Sequence, residues 1–207
     1  MAELTSENYL FEQLIQDILA NGYGVIEDFI QPLQVTRLSQ NLQELYQDGY
    51  FKKAGIGNTS NLQVISEIRG DYILWLNQDT SLLCKEIYFD KIDRLISYFN
   101  ETCFLGIKGI EAHFALFPEG TFYKRHLDSF KNNDKRIFSV IFYLNENWKQ
   151  ENGGELNMYF QEKNIETLVS ILPIAGRFLC FESHKIPHEV LVANKDRLSI
   201  TGWLYGL

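Results

Sequence analysis

From Gly106 onward the chain is cut into short alternating runs, and this rhythm limits its fold more than any other feature. The runs are GIEAHFALF, TFYKRHLD, RIFSVIFYLN, GELNMYF, TLVSIL, GRFLCFES, HEVLV and RLSITGWLY, with Gly, Asn, Asp or Pro between them at intervals of roughly ten residues. Such spacing is too short for packed helices and matches a β-sandwich or barrel. The high aromatic content, 14%, agrees, because aromatic side chains suit pleated surfaces.

The first half reads differently. Leu10, Phe11, Leu14, Ile15, Ile18 and Leu19 recur at helical spacing between Asn8 and Leu19, behind Thr5 and Ser6 as caps and before Gly22 and Gly24. A short strand is expected over Val25–Ile30. Leu33, Val35, Leu38, Leu42 and Leu45 then mark a second amphipathic helix ending near Gly49, and Leu83, Ile87, Ile92, Leu95, Ile96 and Phe99 a third over Leu82–Phe99. Between them, Ala54–Gln63 is rich in Gly, Asn and Ser and reads as a loop. Helices first and strands after give an α+β, mainly β architecture in which N-terminal helices support a β core. No repeat or linker divides the 207 residues, so 1–207 is expected to form one domain, with a helical layer and first strands over 1–104 and the β core over 105–207.

Charge and cysteine content narrow the setting. With 27 acidic and 19 basic side chains the formal charge is −8, which disfavours nucleic acid or anionic membrane as a general partner. The N-terminal MAELTSENYL lacks the basic and apolar regions of a signal peptide, and LVSILPIAGRFLCF is broken by Pro173, Gly176 and Arg177 before membrane-spanning length. Cys84, Cys103 and Cys180 show no CxxC spacing and read as reduced thiols. A soluble cytoplasmic protein is the expectation.

Chemistry concentrates in FYKRHLDSF. On a strand, residues two apart share a face, so His126 and Asp128 can bring an imidazole and a carboxylate together. Alone, this HxD pair reads as an exposed polar pair on a strand. His188, 62 positions later, adds a second imidazole, and two histidines with one carboxylate make the facial triad that holds Fe(II) with positions left open for catalysis. Arg197 follows nine positions beyond His188. His184 and His188 also have an H-x3-H spacing, but Pro187 would break a zinc-binding helix there, and His184 and His113 read as structural or surface histidines.

These residues sit in a wider set of matching segments. IRGDYILWL, RIFSVIFYLN followed by WKQENGGEL, and RLSITGWLY together resemble the 2-oxoglutarate and Fe(II)-dependent dioxygenases, in the prolyl 4-hydroxylase branch that includes the egl-nine type hypoxia-factor prolyl hydroxylases and bacterial relatives. The resemblance runs from about Asn61 to the C-terminus. It implies a double-stranded β-helix, or jelly-roll, with His126, Asp128 and His188 as metal ligands and catalytic centre. It further implies Arg197 as the anchor for the distal carboxylate of 2-oxoglutarate, with Tyr143 and Thr201 adding hydrogen bonds and Leu156 lining the cosubstrate pocket. On strand pattern alone, Tyr143 and Leu156 read as core residues. Asp128, where a halogenase would need a small residue, points to hydroxylation.

The implied reaction takes Fe(II), 2-oxoglutarate and dioxygen, with ascorbate as a candidate reductant, and hydroxylates a prolyl residue of a protein or peptide partner, releasing succinate and CO2. Hydroxylation of a free amino acid or small peptide, or non-catalytic sensing of 2-oxoglutarate or metal, are the alternatives. On the substrate side the resemblance points to Asp71 first, then Trp75, Arg69 and Arg136. The plainer alternative makes Trp75 a core residue and Arg69–Asp71 a surface pair. Lys124, Arg125, Lys131, Lys135 and Arg136 form a local basic cluster, either a positive mouth for an anionic ligand or a solvated charged loop. Phe117 stands where the animal enzymes carry a tyrosine, so one hydroxyl near the cosubstrate is missing.

Overall fold

A computed structural model describes residues 6–55, 65, 67–76, 82–128, 135–163 and 165–206. Residues 56–64, and with them most of the loop expected over Ala54–Gln63, lie outside the described residues, as does Lys131. The described strands form two antiparallel sheets facing one another, the double-stranded β-helix implied by the sequence resemblance. The major sheet has seven strands in the order β1 (Tyr23–Ile26), β9 (Phe178–Glu182), β6 (Arg136–Tyr143), β11 (Arg197–Tyr205), β4 (Gly109–Phe117), β3 (Tyr72–Leu76) and β2 (Lys52–Lys53). The minor sheet has four, β5 (Tyr123–His126), β10 (His188–Val190), β7 (Leu156–Glu162) and β8 (Ile165–Ile171).

Alternation decides which residues reach the site. On β11, Leu198, Ile200 and Leu204 turn towards the helices, as do Phe114 and Leu116 of β4 and Phe178 and Cys180 of β9. The intervening positions, Ala115, Phe117, Ile141, Tyr143, Leu179 and Phe181, face Leu156, Met158 and Val190 of the minor sheet. A period of two thus gives the major sheet one face for structure and one for the space between the sheets. The structural face is covered by α1 (Ser6–Asn21), α2 (Pro32–Gln47) and α4 (Asp90–Cys103), whose buried stripes include Leu14, Leu38 and Leu95.

Two expected elements are corrected. The strand read over Val25–Ile30 occupies Tyr23–Ile26 instead, because the chain turns at Asp28, whose φ is 51°, and Phe29 then stacks on Phe178 at 4.1 Å. The third helix is not uniform. A single turn, α3 (Leu82–Cys84), passes into a π-helical turn over Lys85–Phe89 before α4 begins. Ile87, Tyr88 and Phe89 are all buried, and a wider turn brings three successive side chains to one core better than the α-helical period does.

Candidate functional site

The strand pairing joins what the sequence separates. His188 on β10 lies directly opposite His126 on β5, and Asp128 follows just past the end of β5. Their ligand atoms all lie within 4.8 Å of one another, with each imidazole Nε2 3.5 Å from one Asp128 oxygen. His126 Nδ1 lies 2.8 Å from the Lys124 carbonyl and His188 Nδ1 3.0 Å from that of Ile186. A carbonyl only accepts, so in both rings Nδ1 carries the hydrogen and Nε2 keeps a bare lone pair directed at the shared space.

The carboxylate is equally prepared. Burial opposes ionisation of Asp128, but attraction to the His188 and His126 rings in their protonated form, together with the hydrogen bond from Ser139, outweighs it and holds the carboxyl well below the usual range. Burial in turn keeps the His188 pKa below its ordinary value. Ser139 Oγ donates to Asp128 Oδ2 at 2.6 Å, and Ser183 Oγ stands 3.0 Å behind it. An ionised carboxylate, bare imidazole nitrogens and outer hydrogen bonds to all three ligands are the donor set that a divalent transition metal requires.

A second polar centre lies across the sandwich on the major sheet. Arg197, at the start of β11, is 1% exposed, and its guanidinium lies 5.1 Å from the Tyr143 ring and 5.2 Å from that of Phe117. Arg197 Nε donates to the Gly154 carbonyl at 2.8 Å, but Nη2 and the Tyr143 hydroxyl are buried with no hydrogen-bond partner among the described residues. Two orphaned donors are costly unless a ligand satisfies them, and a carboxylate suits a guanidinium fork. Gly154, at φ 68°, lets the chain pass: a Cβ there would stand 3.1 Å from Arg197 Cδ. Leu156 is buried in the layer between the sheets. Ser199 and Thr201 follow Arg197 at two-residue steps, their hydroxyls 3.4 Å apart, and Thr201 pairs across the sheet with His113 and Ile141.

The substrate-side candidates fall in three places. Trp75 is half exposed rather than a core residue, and with His113 and Trp203 it makes an aromatic row with ring separations of 5.1 and 5.5 Å. Arg136 closes that row, its guanidinium 3.7 Å from the Trp203 ring and donating to the Asp128 carbonyl at 3.1 Å. The part-buried Arg69 and the buried Asp71 form a pair at 2.5 Å, not a surface one. Within the basic cluster, Arg125 pairs with Glu166 and Arg136 with Glu111. His184 is exposed, whereas His113 is buried between the tryptophans and burial pushes its pKa down to about 4. Tyr123, Ser139 and Trp203 were not expected at the site. An aromatic three residues before a metal-type histidine is a usable sign for Tyr123, while a lone serine on a strand carries none.

Known proteins agree with this geometry. Residues 112–205 match the model of the 2OG-Fe(II) oxygenase superfamily. A Pseudomonas putida prolyl-4-hydroxylase is 34% identical, with 96% of this chain and 100% of that one covered and a TM-score of 0.83. A Trichoplax adhaerens prolyl hydroxylase, solved with a peptide fragment of the hypoxia inducible factor oxygen degradation domain, is 33% identical over 96% of this chain and 90% of that one, with a TM-score of 0.84. The hypoxia-inducible factor prolyl hydroxylase of Caenorhabditis elegans is 28% identical over 94% of this chain, which spans only 28% of that longer protein. With the triad, the orphaned Arg197 Nη2 and Tyr143 hydroxyl and these relatives in agreement, the chain belongs to the prolyl hydroxylase family of Fe(II)- and 2-oxoglutarate-dependent dioxygenases.

Proposed function

We propose that the protein hydroxylates a prolyl residue within a polypeptide, using Fe(II), 2-oxoglutarate and dioxygen, and that His126, Asp128 and His188 hold the metal. The observation that carries this reading is the pairing of a divalent-metal donor set beside one sheet with an Arg197 Nη2 and a Tyr143 hydroxyl on the other that have no hydrogen-bond partner among the described residues. Held there, Fe(II) with 2-oxoglutarate and dioxygen would supply the oxidising chemistry that converts a C–H bond to C–OH while 2-oxoglutarate yields succinate and CO2.

The protein's own groups then have separate tasks. Ser139 fixes Asp128 Oδ2, and the Lys124 and Ile186 carbonyls fix both imidazole tautomers. Arg197 and Tyr143 take the distal carboxylate of 2-oxoglutarate, selecting a diacid because a neutral group would leave the buried charge unmatched. Leu156 and Phe117 give that end an apolar wall that excludes water, and Phe117 leaves the carboxylate without a further phenol. Thr201, whose hydroxyl lies 3.4 Å from that of Ser199, is proposed to add a hydrogen bond to the same cosubstrate carboxylate. Trp75 and Arg136, with Trp203, offer an aromatic and cationic ledge beside Asp128 on which a peptide can lie. A polypeptide substrate is supported by the family and by the peptide bound to the Trichoplax relative.

A cytoplasmic setting accords with the free thiols Cys103 and Cys180, and among the described residues no helix is long and apolar enough to cross a membrane. The test is 2-oxoglutarate-dependent succinate release matched by one added oxygen on a proline-containing peptide. Wild-type protein should show the coupling and His126→Ala should not. Oxygen transfer to free proline alone would instead support the small-molecule reading, and metal-replete protein that modifies nothing would support a sensor.

A further inference from the structure

β5 carries the first metal-type ligand, yet in the minor sheet it is an edge strand only four residues long. An unsupported edge of that length cannot hold an imidazole firmly. The segment Ile68–Asp71 covers this edge. The Ile68 carbonyl accepts from Lys124 N at 2.8 Å, Gly70 N donates to the Phe122 carbonyl at 3.0 Å, and Arg69 bridges to Tyr123 in antiparallel fashion. The contact is close enough to exclude a side chain at position 70, where a Cβ would stand 2.6 Å from Thr121 Cβ.

Side chains extend the clamp to the ligand itself. Tyr123 stacks on His126 with centroids 3.6 Å apart and planes inclined by 15°. The Arg69 guanidinium lies 4.3 Å from the same Tyr123 centroid, so the phenol ring is held between guanidinium and imidazole. Asp71 fixes the guanidinium through Nε at 2.7 Å and Nη2 at 2.5 Å, and Nη1 reaches the Gly55 carbonyl at 3.3 Å. Each residue of Ile-Arg-Gly-Asp thus has its own mechanical role: a carbonyl for β5, a cation for Tyr123, a missing side chain for close approach, and a carboxylate that orients the cation.

We infer that Arg69, Gly70, Asp71 and Tyr123 are positioning residues for the metal site, acting through the Tyr123–His126 stack rather than by contact with substrate. This rests on the assignment of the triad as a metal site. The Nδ1 hydrogen bond to Lys124 restrains one edge of the imidazole, and the stack restrains its plane, so Nε2 points at the shared space with little rotational freedom. The inference also separates the Arg69–Asp71 pair from the ledge of Trp75, Trp203 and Arg136, where a peptide would be read.

Mn(II) affinity, followed by the free-ion EPR signal, and the visible spectrum of Co(II)-loaded protein test this without turnover. Arg69→Met and Tyr123→Leu should weaken Mn(II) binding on the order of 10-fold and alter the Co(II) bands. Tyr123→Phe, which keeps the stack, should stay within about twofold of wild type. Gly70→Ala separates the segment from β5 while keeping the Arg69–Asp71 pair, and should follow Arg69→Met even if the latter folds poorly. Wild-type Mn(II) affinity and Co(II) spectrum in Arg69→Met or Gly70→Ala, with a raised KM for peptide, would overturn the inference and make the segment a substrate contact. Wild-type protein that binds no Mn(II) would remove the metal assignment itself, and the clamp with it.

Discussion

The two sheets divide the work unequally. The minor sheet supplies the two metal-type histidines from two short strands, Asp128 follows two residues past one of them, and much of the β8 strand faces solvent. The major sheet supplies Arg197, Tyr143 and Ser139, and its other face is packed against the helices. The metal-type ligands sit on or beside short strands and are steadied locally by hydrogen bonds and a stack. The buried guanidinium, whose desolvation is expensive, sits on the most thoroughly packed strands, where burial lowers its pKa and the fold holds it in place.

If that division is real, damage to each side should have a different signature. The largest effects belong to the ligands: Asp128→Ala or His188→Ala should abolish Mn(II) binding and reduce succinate formation to background in a coupled assay, with the fold intact by circular dichroism. Arg197→Met keeps much of the apolar volume and should raise the half-saturating 2-oxoglutarate concentration on the order of 100-fold, as expected from losing about 3 kcal/mol of charge-assisted hydrogen bonding. Its Mn(II) affinity should be unchanged. An equal loss of both would mean that the sheets do not act separately.

Stability should divide along the same line. Phe178, fully buried and stacked on Phe29, should cost about 3–5 kcal/mol as Phe178→Ala in urea unfolding. Leu168 on β8 is half exposed, and Leu168→Ala should stay within about 0.5 kcal/mol of wild type. His113 lends the major sheet a pH dependence. Its folded pKa of about 4 lies below the reference 6.5, so the unfolded chain takes up the proton first. Its contribution is present above pH 6.5 and is lost as pH falls towards 4, by roughly 3 kcal/mol from the size of the shift. In urea titrations His113→Leu should flatten that slope relative to wild type.

Particular residues show what the sequence can and cannot disclose. Alternation over RLSITGWLY reveals which side chains share a face, so Arg197, Ser199, Thr201 and Trp203 are legible as a set. It does not reveal partners across strands, and the His188–His126 register that completes the triad depends on a pairing 62 residues apart. HxD was visible as a spacing and became specific only through resemblance over the surrounding segments. Trp75 shows the limit of residue type, since a large apolar ring in a strand stays half exposed where the sheet meets the site. The π-helical turn and the Ser139–Ser183 contact had no sequence signature, because each answers to packing from elements far away in the chain.

The central claim is that a metal held by the minor sheet and a diacid anchored by Arg197 on the major sheet meet in one site. Its most direct test is the thermal unfolding midpoint of wild type and Arg197→Met with Mn(II) alone and with Mn(II) plus 2-oxoglutarate. Mn(II) should raise the midpoint of both proteins, and 2-oxoglutarate should add a further rise in wild type that is absent from Arg197→Met. An equal 2-oxoglutarate increment in the two proteins, or none in wild type, would contradict the account.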